Sequence, residues 1–219
     1  MSKAGSDVEL RALTATDLPN VAKLHRAAFA KTSLAVMGEA TIERYYTWWL
    51  AEPPPMQGVG VFCNGQLAGF CLSGVFRKSA SQFFSEQRVF FLRQTLRRPQ
   101  LVFEIIFNPF MRERLSKMVS ERLRRRKASA PSTTTTQKAS SSKPYKILTI
   151  AVSESFQGLG LGKRLMAVAE SHARENGFAE MLLDVDTDND RAIPFYESLG
   201  WMRIEKAAGW RGNMRKPLN

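Results

Sequence analysis

The sequence predicts an α/β (α+β) domain organised around one central sheet, and three observations carry that expectation. The segment VELRAL (8–13) alternates apolar and polar residues as a half-buried strand does. In GVGVFCNGQLAGFCLSGVF (58–76) the pair Asn64-Gly65 separates two apolar runs. That is a hairpin signal, because a two-residue type I′ turn needs positive φ at both central positions. Further on, the bare turn QGLGLGKR (157–164) joins a strand pattern, YKILTIAV (145–152), to a helical one.

The elements follow in order. After the first strand, Thr16 and Asp17 offer an N-cap and Pro19 suits the first helical turn. Leu18, Val21, Leu24, Ala28 and Phe29 then recur at helical spacing. A second helix is expected from about Glu39 to Leu50, bringing Tyr45, Tyr46, Trp48 and Trp49, and Pro53-Pro54-Pro55 ends it. The hairpin comes next. Beyond the glycine turn, Leu161, Leu165, Val168, Ala169 and His172 mark one face of a helix that Asn176-Gly177 closes. FAEMLLDVD (178–186) reads as a strand, Asn189 or Asp190 caps a short helix, and WMRIEK (201–206) opens a last strand.

Charge divides the chain. Of 32 Lys/Arg and 20 Asp/Glu, residues 77–144 hold 16 and 4, so this segment carries the whole net charge of +12. The expected organisation is 1–76 as the first part of the domain, 77–127 as a basic, aromatic helical insertion, 128–144 as a flexible Ser/Thr-rich linker, and 145–219 as the remaining core. The start MSKAGSDVEL lacks an apolar signal core, and no run reaches the roughly 18 apolar residues of a membrane span. Cys63 and Cys71 form no metal-like cluster with His25 and His172, so a cytoplasmic protein with structural thiols and no metal is expected.

The glycine turn has to be told apart from two nucleotide-binding patterns. A P-loop, G-x-x-x-x-G-K-S/T, would need glycine at Gln157 and a hydroxyl at Arg164. The dinucleotide pattern G-x-G-x-x-G would need glycine at Lys163. Both fail, leaving Q-x-x-G-x-G on Gln157, Gly160 and Gly162. Amides at a helix N-terminus form an anion site, and glycine admits close approach of a phosphate.

Downstream stands N-x-x-A-x-x-F-Y-E-x-L-G-W, residues 189–201. With the glycine turn and the strand LLDV between them, residues 145–204 resemble the GNAT superfamily of acyl-CoA-dependent N-acetyltransferases. The resemblance implies a GNAT fold whose mixed sheet splays between its fourth and fifth strands, with acetyl-CoA as co-substrate. Its pantetheine arm would meet main-chain groups around Ile150 and Val152. Its pyrophosphate would lie on Gln157, Gly158, Leu159, Gly160, Leu161, Gly162 and Lys163. Asn189 would touch the arm, and Tyr196 would stand by the sulfur as general acid. Asp184, twelve residues before Tyr196, matches the base of some ribosomal-protein acetyltransferases, one methylene shorter.

The helical insertion between the third and fourth strands looks like that of members found among bacterial surface-polysaccharide genes. This implies an amino sugar or other small amine as the group acetylated. A protein N-terminus or lysine, and a non-catalytic, membrane-recruited CoA-binding adaptor, stay open as alternatives. Phenylalanines interleaved with arginines over 80–127 suit peripheral contact with an anionic membrane at its inner face. A solvated face, a lid over the site and, least favoured, a nucleic-acid surface are the other readings.

Overall fold

The computed structural model describes residues 7–97, 143–205, 207 and 209–218. Most of the expected insertion and nearly all of the expected linker lie outside the described residues.

Among the described residues the sheet has seven strands. They are β1 (Val8–Ala12), β2 (Met56–Cys63), β3 (Gln66–Gly74), β4 (Tyr145–Val152), β5 (Glu180–Asp184), β6 (Met202–Arg203) and β7 (Asn213–Pro217), in the order β1-β2-β3-β4-β5-β7-β6. Every neighbouring pair is antiparallel except β4 and β5, which run parallel. The β2–β3 hairpin turns at Asn64 (φ 48°) and Gly65 (φ 76°), the backbone that pair was expected to supply.

Helices cover both faces. On one lie α1 (Leu18–Ala28), the short α2 (Ser33–Met37) and α3 (Glu39–Leu50), with Ile42, Tyr46, Trp49, Phe70 and Leu72 buried beneath them. The other face carries α6 (Leu161–Glu175) and α7 (Ala192–Ser198) over Val61, Tyr145, Leu165, Met181 and Met214. Between β3 and β4 come α4 (Ala80–Glu86) and α5 (Arg88–Arg97).

The start of the basic segment is thus helical and part of the core. A capping box of Ser79 and Gln82 begins α4. Phe83 is fully buried, with edge contacts to Tyr45 and Trp48 at centroid distances of 5.2 and 5.5 Å. Burial of one such ring contributes about 1.5–3 kcal/mol. The Trp48 indole donates to Glu86 at 2.7 Å, and Lys78 pairs with the buried Glu52 at 2.6 Å. On α5, Val89, Leu92 and Leu96 remain exposed.

Three local expectations are corrected. Asp17 is the N-cap residue of α1 as expected, but its side chain makes no capping bond to that helix: the carboxylate accepts from the Thr14 amide at 2.8 Å and pairs with Arg11 at 2.7 Å. Asp17 therefore serves the turn before it, and the guanidinium holds its carboxyl well below the usual range. The strand expected over 178–186 narrows to Glu180–Asp184. The one expected over 201–206 pairs only at Met202–Arg203, and the longer closing strand is β7, slotted between β5 and β6. Its sequence, NMRKP, buries only Met214 fully, which is too polar a pattern to read as a strand.

Candidate active site

The parallel pair β4–β5 is short. It holds register at Tyr145↔Met181, Lys146↔Leu182 and Ile147↔Leu183, and then the strands part. At that point β4 changes register against β3, with Leu72 facing Thr149 and Ser73 facing Ile147, so Leu148 is left over as a bulge. Such a bulge bends its strand away from its neighbour. Past it, the Ser153 amide donates to Ala68 on the β3 side at 2.8 Å. Backbone groups alternate along a strand, so the amides and carbonyls of Ile150 and Val152 face the opposite edge, into the gap.

The glycine turn closes the end of that gap. Gly158 and Gly160 have φ of +79° and +72°, a region where other residues are strained, and a Cβ on either would meet open space. Gly160 is the N-cap of α6, and the helical ladder begins with the Arg164 amide on its carbonyl at 3.1 Å. Among the described residues, the amides of Gly158 through Lys163 have no hydrogen-bond partner. Six unengaged donors, the helix dipole and the exposed Lys163 fit a pyrophosphate. Gly162 differs: a Cβ there would stand 3.2 Å from the Phe195 ring, so its bareness serves the packing of α6 against α7. The Gln157 side chain reaches back to the Val152 carbonyl at 3.5 Å and accepts from Arg191 at 3.2 Å, and Leu159 is exposed.

Where the strands part lies a cleft of about 520 Å³, lined by Ile150, Asp184, Asn189 and Tyr196 among others. Tyr196 is 9% exposed, and its hydroxyl has no hydrogen-bond partner among the described residues. Burial, and secondarily the neighbouring Cys71, push its phenol up to about 12, so it stays protonated at neutral pH. Asp184 ends β5, exposed to the cleft, where Asn213 of β7 donates to its carboxylate. Asn189 accepts from the Ala192 amide at 3.0 Å through its side-chain oxygen, although the N-cap position of α7 falls at Arg191 and not at Asn189 or Asp190. Its amide nitrogen is left for other partners.

Sequence reasoning missed other members of the site. His25, which the sequence reading set aside only as no part of a metal cluster, lines the cleft from α1. Its spacing from Leu18 and Ala22 puts it on the buried face of the helix, the one signal available beforehand. Thr149, Asp186 and Arg211 also line the cleft, and none stands in a motif.

A mixed sheet parted at one parallel pair, with an amide cradle at the end of the gap, is the fold of the N-acetyltransferases of known structure on which the chain superposes. Residues 132–201 match the model of the acetyltransferase (GNAT) family. Over 58 residues, 26% of this chain, it is 40% identical to mycothiol acetyltransferase of Kocuria rhizophila, of which the match spans 19%. The N-alpha-acetyltransferase RimI of Mycobacterium tuberculosis is 38% identical over 60 residues, 27% of this chain and 36% of that protein. The chain thus spans well under half the length of these curated relatives. The PaiA N-acetyltransferase of Thermoplasma acidophilum, solved with coenzyme A, superposes with a TM-score of 0.52 at 14% identity, covering 96% of this chain and 99% of that one. The likeness in structure is one of fold.

Proposed function

We propose that this chain is an N-acetyltransferase that moves the acetyl group of acetyl-CoA to a primary amine. The observation that carries the reading is the run of unengaged amides from Gly158 to Lys163 at the end of a strand edge left open by β5. Acetyl-CoA supplies an activated thioester. In this reading Ile150 and Val152 hold the pantetheine arm as a neighbouring strand would, and Gly158, Gly160 and Lys163 hold the pyrophosphate.

Tyr196 is the proton donor. A phenol near 12 stands about 3.5 units above a free thiol at ~8.5, so complete transfer is uphill by ~5 kcal/mol in the empty site. Burial of sulfur charge in the same gap raises the thiol's own value and narrows that difference. The hydroxyl therefore acts first as a hydrogen-bond donor to sulfur, and its proton follows as charge develops. Asp184, at the open mouth, receives the proton the amine gives up, directly or through water.

The relatives' names point to two kinds of amine substrate, one belonging to mycothiol and one an α-amino group. Small amines, amino sugars and peptide N-termini should be screened for thiol release from acetyl-CoA, with CoA affinity measured by calorimetry. Turnover on at least one class is expected; tight CoA binding with no turnover on any would favour the adaptor reading instead.

A membrane-facing role for the basic segment has one supporting observation. Val89, Leu92 and Leu96 form an exposed stripe on α5 beside the exposed Arg88 and Arg93. Binding of the whole chain to anionic but not neutral liposomes is expected, and no binding to either ends that reading.

A further inference from the structure

His25 is 7% exposed and lines the cleft from α1. Its Nδ1 lies 2.6 Å from the hydroxyl of Tyr46, a fully buried residue of α3. Its Nε2 is buried and has no hydrogen-bond partner among the described residues. Buried polar atoms in native proteins nearly always have partners, and leaving one without is costly. Phe29 and Tyr46 pack on the ring at centroid distances of 4.8 and 5.6 Å and the Tyr46 hydroxyl engages only Nδ1, so neither accounts for Nε2.

The hydrogen bond to Tyr46 sets the chemistry of the other nitrogen. A neutral imidazole carries one proton. Burial drives the Tyr46 phenol far above its usual range, so it stays a hydroxyl and can donate to Nδ1. With Tyr46 as the donor in that bond, the imidazole proton resides on Nε2. Burial also lowers the imidazole to about 4, so the ring is uncharged at neutral pH and does not repel an incoming amine.

Resting on the transferase reading above, we infer that His25 is a specificity determinant whose Nε2–H donates a hydrogen bond to an oxygen of the amine substrate. The substrate class is then an amine with a carbonyl or hydroxyl oxygen close to the attacking nitrogen. An amine without that oxygen leaves the buried donor unpaired. Phe29 lines the same cleft and is half-buried at the end of α1, next to the imidazole, so the oxygen enters past a side chain with room to move.

Two probes test this: glycinamide, which has the oxygen, and ethylamine, which lacks it, compared at equal free-base concentration. In the CoA-saturated protein, nitrogen NMR of the two histidines, assigned with His25→Gln, should find His25 neutral with its proton on Nε2. Glycinamide should shift that signal and ethylamine should not. A proton on Nδ1, or equal shifts with both amines, overturns the inference.

In turnover, the glycinamide/ethylamine ratio of kcat/KM should fall about tenfold in His25→Leu. It should largely persist in His25→Gln, which keeps an amide donor near the Nε2 position. An unchanged ratio in His25→Leu, or equal loss in both variants with the fold intact, overturns it as well. CoA affinity should be the same in all three proteins. No turnover of either amine by the wild type, with the NMR response present, would instead count against the transferase reading alone.

Discussion

The two walls of the cleft are made of different material. On the cofactor side, from β4 through the glycine turn to α6, the groups offered to a ligand are backbone amides and carbonyls. On the amine side they are side chains from four separate places: His25 on α1, Thr149 on β4, Asp184 and Asp186 at the end of β5, and Arg211 before β7. A backbone site is specified by what must be missing, namely Cβ atoms and strand partners. A side-chain site is specified by what is present, and its members need have no fixed spacing. One wall can therefore stay constant while the other is rebuilt for a different substrate.

The comparison breaks if the cofactor wall does not depend on its bare backbone. Gly160→Glu offers the hardest test. It forces a side chain into a φ of +72° and sets a carboxylate beside six amides that await an anion. Like-charge juxtaposition costs several kcal/mol, so CoA affinity measured by calorimetry should drop about a thousandfold. Gly160→Ala separates the two causes, because it adds the backbone strain of about 1–2 kcal/mol without the charge. Equal, small effects from both would mean that the cradle does not hold phosphate.

Next in size is Tyr196→Phe. Loss of a positioned proton donor lowers kcat by at least about 10²-fold, while the ring keeps its packing against Phe195 and Trp201. CoA affinity should change little. A variant with kcat within threefold of wild type would leave the leaving group without its donor and shift attention to water in the cleft.

The same contrast explains what could be read in advance. Hairpin, glycine turn and the helix after it are local events, each set by residues within a few positions of one another, and they were legible. Asn64-Gly65 needs only its own φ angles, and Gly160 only the start of α6. The parting of β4 from β5 was legible through the family resemblance, but its physical cause, the bulge at Leu148, has no sequence mark. β7 was missed because only one residue, Met214, is fully buried in a polar strand whose place is fixed by β5 and β6. His25 was passed over because the meaning of a buried histidine depends on Tyr46, 21 positions away, and on a nitrogen with no partner.

A third test concerns the amine wall and uses pH. His25 titrates near 4 when folded, against 6.5 for the free side chain, so the unfolded chain binds more protons between those values. Stability should therefore be full above about pH 6.5 and fall as the pH drops toward 4, by roughly 3 kcal/mol if the whole shift is realised. His172, also lowered by burial, adds in the same direction, whereas Asp17, held down by Arg11, acts only at more acid pH. The groups that could stabilise a charged imidazole from the cleft are Asp184 and Asp186, with Arg211 opposing. Chemical denaturation at a series of pH values should give a shallower slope for His25→Gln than for wild type. Equal slopes would mean that the imidazole finds a counter-charge when protonated.

The smallest expected effect sharpens the comparison most, because it falls inside the glycine motif itself. Gly162 shares the turn with Gly158 and Gly160 but has no positive φ, and its missing Cβ faces Phe195 at 3.2 Å instead of open space. Alanine in a helix is worth about 1 kcal/mol over glycine, while the ring must give by a few tenths of an ångström to admit it. These opposing terms leave the stability of Gly162→Ala within about 1 kcal/mol of wild type. CoA affinity should stay within threefold, since the added methyl points at α7 and the amide of residue 162 keeps its place. A tenfold loss of affinity would show that the cradle needs all three glycines bare, and that the motif is one device; the structure divides it into two, a pair that opens the backbone to an anion and a third that lets two helices meet.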